Sequence, residues 1–148
     1  MLECLTYNES LVNLNLSSFE GLHRNRIGPK GVFPLKEALA VNKTLTILNL
    51  GGNCIGNEGV SYICQGLQHN ESLIELSLHS SDINSHGATL LKTTLPKTNI
   101  QYLNLSKNPL GNAGIEKIAF LLTANRMKIR ELNVSDCKFN YMGAAPLY

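Results

Sequence analysis

A six-residue pattern, LxxLxL, recurs five times along this chain: Leu11 to Leu16, Leu45 to Leu50, Leu73 to Leu78, Ile100 to Leu105 and Ile129 to Val134. The copies begin 34, 28, 27 and 29 residues apart. An internal period constrains folding more than local propensity does, because every copy must form the same unit and the units must fit one another. A glycine follows each copy, at Gly31, Gly59, Gly87, Gly114 and Gly143. Apolar residues then stand one, four and eight residues on: Val32, Leu35 and Leu39; Val60, Ile63 and Leu67; Ala88, Leu91 and Leu95; Ile115, Ile118 and Leu122; and, in the last copy, Ala144 and Leu147. Those offsets are helical, while the alternation inside LxxLxL suits a strand.

The unit is therefore strand, turn, helix. About 28 residues of this kind cannot bury their apolar stripe without a neighbour on each side, so the units stack. Strands in a parallel sheet lie about 4.8 Å apart, whereas packed helices need about 8 to 10 Å, so the stack must curve with its strands inside. Leu45 to Leu73, LTILNLGGNCIGNEGVSYICQGLQHNESL, resembles the ribonuclease-inhibitor-like leucine-rich repeats, whose long strand-helix unit also occurs in Ran GTPase-activating proteins and NOD-like receptors. The expected fold is α/β, a leucine-rich-repeat solenoid with a parallel sheet on the concave face of a horseshoe segment and helices on the convex face.

One domain is expected over residues 1–148, with about five repeats whose strands start near 11, 45, 73, 100 and 129. Both ends fall inside a repeat: Leu5, Asn8, Ser10 and Leu11 match Leu39, Asn42, Thr44 and Leu45, and Leu147 and Tyr148 stop one turn into a helix. The exposed apolar ends are expected to be covered by missing repeats or by self-association.

Eight residues after the first leucine stand Asn53, Ser81, Asn108 and Cys137. A buried Asn there can bond the backbone groups freed where the chain leaves its strand, in its own repeat and the next. Ser81 and Cys137 offer fewer groups, so looser turns are expected at those two. Pro34 and Pro146, three residues after their glycines, mark helix starts. The glycines themselves are expected to permit a backbone shape or a close approach that a side chain would block.

No catalytic chemistry is expected. His23, His69, His79 and His86 have no metal-ligand spacing with one another or with Cys4, Cys54, Cys64 and Cys137. Cys4 aligns with Ala38 and Gly66, small packed positions. There is no GxSxG, phosphate loop, HExxH or dinucleotide fingerprint. No cofactor, metal or small-molecule substrate is therefore expected. The formal charge of +2 is small and scattered, so neither nucleic acid nor membrane is an expected partner. A cytoplasmic location is expected, because the N-terminus has no signal-peptide pattern and the cysteines have no pairing pattern. Six Asn-x-Ser/Thr sequons, at Asn8, Asn15, Asn42, Asn70, Asn104 and Asn133, fall on two repeated positions and read as products of the period.

The expected function is protein–protein interaction. With the leucines of LxxLxL turned inward, its second, third and fifth positions line the concave face. They are Val12, Asn13 and Asn15; Thr46, Ile47 and Asn49; Ile74, Glu75 and Ser77; Gln101, Tyr102 and Asn104; and Arg130, Glu131 and Asn133. The fifth position makes a polar column able to hydrogen-bond a ligand, and Ile47, Ile74 and Tyr102 make an apolar centre of the kind that anchors interfaces. The first repeat carries six extra residues, Phe19 to Arg24, and Phe19, Leu22 and Arg24 are candidate contacts there. The resemblance implies an alternative, regulation of a small GTPase or other enzyme by contact through the strand-to-helix loops. A third class is a glycosylated extracellular recognition protein.

Overall fold

The computed structural model describes residues 2–18, 25–123 and 128–145. Each LxxLxL segment places three residues in a strand: β1 Asn13–Asn15, β2 Ile47–Asn49, β3 Glu75–Ser77, β4 Tyr102–Asn104 and β5 Glu131–Asn133. They form one parallel sheet in chain order, β1-β2-β3-β4-β5. Strands follow one another as neighbours because each unit of the repeat stacks on the last.

Between strands run α1 Gly28–Val32, α2 Leu35–Val41, α3 Gly56–Leu67, α4 Ser85–Thr94, α5 Gly111–Thr123 and α6 Tyr141–Ala144, with a short 3-10 helix, Leu2–Thr6, before β1. Sequential helices pack on one another, α2 on α3, α3 on α4 and α4 on α5. The result is the expected open α/β leucine-rich-repeat solenoid. In the first repeat the helix breaks at Phe33 and Pro34, and α2 starts after the proline that lacks an amide. Pro146 lies outside the described residues.

The core sits between sheet and helices. Leu45, Leu48 and Leu50 of the second repeat are fully buried, as are Leu76, Leu78 and Leu105 in those that follow. Val32, Val60, Ala88 and Ile115, and likewise Leu35, Ile63, Leu91 and Ile118, are fully buried beneath them. At the third helical offset Leu39, Leu67 and Leu95 are buried, but Leu122 is 49% exposed and Leu121 is buried in its place. On one side α4 packs along α5, with Lys92 over the ring of Phe120, while the next described helix, α6, is only four residues long.

Gly59 illustrates what the repeat glycine does. A Cβ there would come within 2.8 Å of the Ile55 Cβ and 3.0 Å of Val32 Cγ2 in the preceding repeat. Its role is close approach to the neighbouring helix, and its φ is not positive.

Two asparagine ladders tie successive repeats. At the strand-to-helix turn, Asn108 donates to the carbonyls of Leu78 (2.8 Å), Leu105 (2.8 Å) and Ser106 (3.3 Å) and accepts from the amides of Ser81 (2.9 Å) and Ile83 (3.0 Å). At the helix-to-strand turn, Asn42 donates to the carbonyls of Leu5 and Asn8, and Asn70 to those of Leu39 and Asn42. The turns at Ser81 and Cys137 keep the same backbone bond as the one at Asn53: Gly28 N–H donates to Asn53 O, Gly56 N–H to Ser81 O and Gly111 N–H to Cys137 O. Neither is opened. The Asn108 side chain reaches back to serve Ser81, and the Cys137 thiol donates to Leu105 O at 3.2 Å.

Candidate functional site

The concave face is three rows of side chains in register. Leu14, Leu48, Leu76, Leu103 and Leu132 are mutual partners across the sheet and point inward, so the flanking residues must point out. One row is Asn13, Ile47, Glu75, Tyr102 and Glu131, and another is Asn15, Asn49, Ser77, Asn104 and Asn133. The third, Val12, Thr46, Ile74, Gln101 and Arg130, lies just before the strands and is linked by backbone bonds from each residue to the one before it in the row. The parallel register thus aligns all fifteen predicted positions in three rows across the sheet, with Ser77 buried at 6% exposure.

The geometry changes the chemistry expected of two rows. The fifth-position asparagines spend their oxygens inside the fold. Asn15 Oδ1 accepts from the Ser17 amide at 3.0 Å and hydroxyl at 2.7 Å, Asn49 Oδ1 from the Gly51 amide at 3.0 Å, and Asn104 and Asn133 from the amides and hydroxyls of Ser106 and Ser135. These Asx-turns fix the chain as it leaves each strand. Their Nδ2 groups have no acceptor among the described residues. The four asparagines of the column thus present donors, while the Ser77 hydroxyl is engaged with His79.

The apolar centre is smaller than expected. Ile47 and Ile74 are half-buried, while Tyr102 is 37% exposed and Val12 52%. Glu75 stands between Ile47 and Tyr102 in the register, with Glu131 on the far side of Tyr102. A cleft of about 260 Å³ opens here, floored by Leu76 and Leu103 and walled by the two glutamates, Tyr102, His79, and the fifth-row asparagines.

His79 belongs to this cleft, although its position after β3 reads from sequence as an ordinary loop site. Its ring lies so close over Gly51 that a Cβ there would overlap it, and Nδ1 is 3.1 Å from Ser77 Oγ. Burial, then the charge of Lys107, hold its pKa below the usual imidazole value. The Gly51-Gly52 pair was the available sequence signal, since the first glycine makes room for the histidine of the next repeat.

The strand-to-helix loops form a second groove, of about 330 Å³, along Ser18, Gly52, Cys54, Ser80, Asp82, Lys107, Pro109 and Lys138. Cys54, Ser80, Asp82, Lys107, Asp136 and Lys138 hold positive φ without being glycine, each at a cost of roughly 1 kcal/mol. Phe19, Leu22 and Arg24 lie outside the described residues.

Of the other candidates, Cys64 and Cys137 are buried, but Cys4 is exposed, contrary to its alignment with packed positions. The 3-10 helix at the start buries Leu2 and Leu5 instead. Burial pushes the Cys64 thiol up to about 11, offset in part by a hydrogen bond with Thr94. Among the described residues no cluster of three His, Cys, Asp or Glu could hold a metal ion, and no helix is long and apolar enough to cross a membrane. Two sequons are closed to glycosylation in this fold, since Asn42 and Asn70 are 5% exposed and their Nδ2 groups donate into the chain.

A family profile described as leucine-rich repeat matches residues 41–64 and 97–119. The chain carries leucine-rich repeats. The structure is similar to that of the leiomodin-1 actin-binding site 2, with a TM-score of 0.76 over 98% of this chain and 80% of that one, at 17% sequence identity. At that identity the likeness is one of fold. No curated protein matches the chain in sequence.

Proposed function

We propose that this chain is a protein-binding module that engages its partner through the concave sheet and adjacent loops and has no catalytic chemistry of its own. The observation that carries this reading is the register: three rows of side chains project from one rigid parallel sheet, with unpartnered amide donors, two carboxylates and an open tyrosine ring side by side. Stacked repeats create extended concave surfaces suited to macromolecules, and rigid backbone lowers the ordering cost of binding.

The narrower readings belong to the same proposal. The spacing of 27 to 29 residues after the longer first repeat, and the 12- and 13-residue helices α3 and α5, support the ribonuclease-inhibitor-like subtype. The four cysteines, with no disulfide among the described residues, support a cytoplasmic setting. Contact regulation of a small GTPase or other enzyme would use the strand-to-helix groove, and Phe19, Leu22 and Arg24 of the first-repeat insert remain candidate contacts.

The test is affinity capture from a cytosolic extract with wild-type protein and with a variant carrying charged residues at Ile47, Ile74 and Tyr102, both verified as folded. Purified actin is the first defined bait, because leiomodin-1 shares the fold and its site is named for actin. A partner held by wild type and lost with the variant supports the concave face. An identical captured set overturns it and moves the contact to the loop groove.

A further inference from the structure

We propose that the cleft between β3 and β5 receives a lysine or arginine side chain of the partner protein, held between the Glu75 and Glu131 carboxylates over the ring of Tyr102. The inference rests on the concave-face reading and gives it a partner chemistry.

Glu75, Tyr102 and Glu131 are register partners on consecutive strands, so all three side chains leave the same face at the same height. Adjacent strands lie about 4.8 Å apart, which puts the glutamate backbones roughly 10 Å from each other with the tyrosine between. Long carboxylate side chains span that gap toward one cation. Neither glutamate makes an ion pair among the described residues, and Arg130, next to Glu131 in the chain, makes none either. Tyr102 takes part in no ring contact there, is 37% exposed and lines the cleft.

The pairing is complementary in three ways. Two uncompensated carboxylates raise each other's energy, and one cation between them relieves both. An open tyrosine ring attracts a cation placed over its face. Beside them, the Nδ2 donors of Asn104 and Asn133 point outward with their oxygens already bonded, ready for a carbonyl of the segment that carries the basic side chain. His79, at the same cleft, is held toward its neutral form by burial, and so adds little positive charge to oppose the ligand near pH 7. Lys107 and Arg130 lie at the margins, exposed.

The probe is N-acetyl-arginine amide, titrated into isotope-labelled protein and followed by backbone amide shifts, with the neutral isostere N-acetyl-citrulline amide and calcium chloride as comparisons. Shifts centred on Glu75, Tyr102, Asn104 and Glu131 are expected with arginine, weaker with citrulline, and lost in the Glu75→Gln, Glu131→Gln double variant. That variant is near-isosteric, and its own spectrum reports whether the fold is intact. Equal shifts with citrulline, shifts centred elsewhere, survival in the double variant, or no shift up to the solubility of the reagent overturn the proposal. Calcium shifting the same amides equally well overturns it too, as the mark of an unselective cation site.

A captured partner should bind the double variant roughly two- to thirtyfold more weakly, the range set by two exposed ion pairs. If it is lost with the variant at Ile47, Ile74 and Tyr102 yet binds the double variant unchanged, the basic anchor fails while the concave face stands. If it is retained by both, the concave reading fails as well.

Discussion

Asn53 and Asn108 occupy the same place in two repeats, equally buried, yet they are not equally bonded. Asn108 makes five hydrogen bonds, three as donor and two as acceptor. Asn53 makes the three donor bonds, to the carbonyls of Leu16, Leu50 and Gly51, and its Oδ1 has no partner. The amides that should reach that oxygen belong to Asn25 and Ile27, the counterparts of Ser81 and Ile83. Asn25 N–H instead donates to Ser18 Oγ at 3.0 Å. The first repeat is the one with six extra residues before this turn. The ladder is thus a property of pairs of repeats, and an insertion in one is felt as an orphaned acceptor in the next.

The largest test of this comparison is to remove each asparagine. Asn108→Ala should cost about 3 to 5 kcal/mol, since it strands buried backbone groups in two repeats, and Asn53→Ala about 1 to 2 kcal/mol. Urea unfolding of both variants measures it, and equal losses would break the account.

Thiol titration contrasts the ladder position Cys137 with the core position Cys64. Burial raises both thiols above their ordinary value, Cys64 to about 11. A folded pKa above the unfolded one favours the neutral thiol in the fold. The stabilisation is therefore complete below the unfolded value and is lost as pH rises through the folded one. Stability should fall between about pH 9 and 11, by up to about 2 to 3 kcal/mol for Cys64. Denaturation midpoints across that range, repeated with Cys64→Ala, should lose most of the slope in the variant. A slope unchanged there would assign it elsewhere.

Smaller effects sharpen the comparison. Deleting residues 19–24 makes the first repeat the length of its neighbours, and should return the amides of Asn25 and Ile27 to Asn53 Oδ1 for a gain of about 1 kcal/mol. Thermal unfolding reads the gain, and a loss would show that the insert supports the turn. Cys137→Asn should add up to about 1 kcal/mol, because an amide would donate where the thiol donates to Leu105 O and would offer an oxygen to the Asn108 N–H that faces the sulfur. An unchanged denaturation midpoint in the Cys137→Asn variant would mean that the thiol already satisfies this turn.

Much of the fold was legible because the period left few alternatives. Glycine followed by apolar residues at offsets one, four and eight could bury its stripe only by stacking, and the cross-strand rows followed from the repetition of LxxLxL. The departures came where a residue's neighbour, not its period, mattered. Leu122 has the periodic position, but Leu121 takes the buried place and leaves it 49% exposed. Cys4 aligns with packed residues, but a short 3-10 helix turns Leu2 and Leu5 inward and leaves the thiol outside.

The sequence by itself determined the solenoid, the order of its strands and the rows in which its residues align across them, since these depend on spacing alone. Only the tertiary structure decided what those residues can offer a partner. Whether an asparagine presents an oxygen or an amide depends on which lone pairs the next turn consumes, and whether a glutamate is free depends on which cations the fold brings beside it. Those are distances between repeats, and a period fixes the order of the repeats but not the geometry of their side chains.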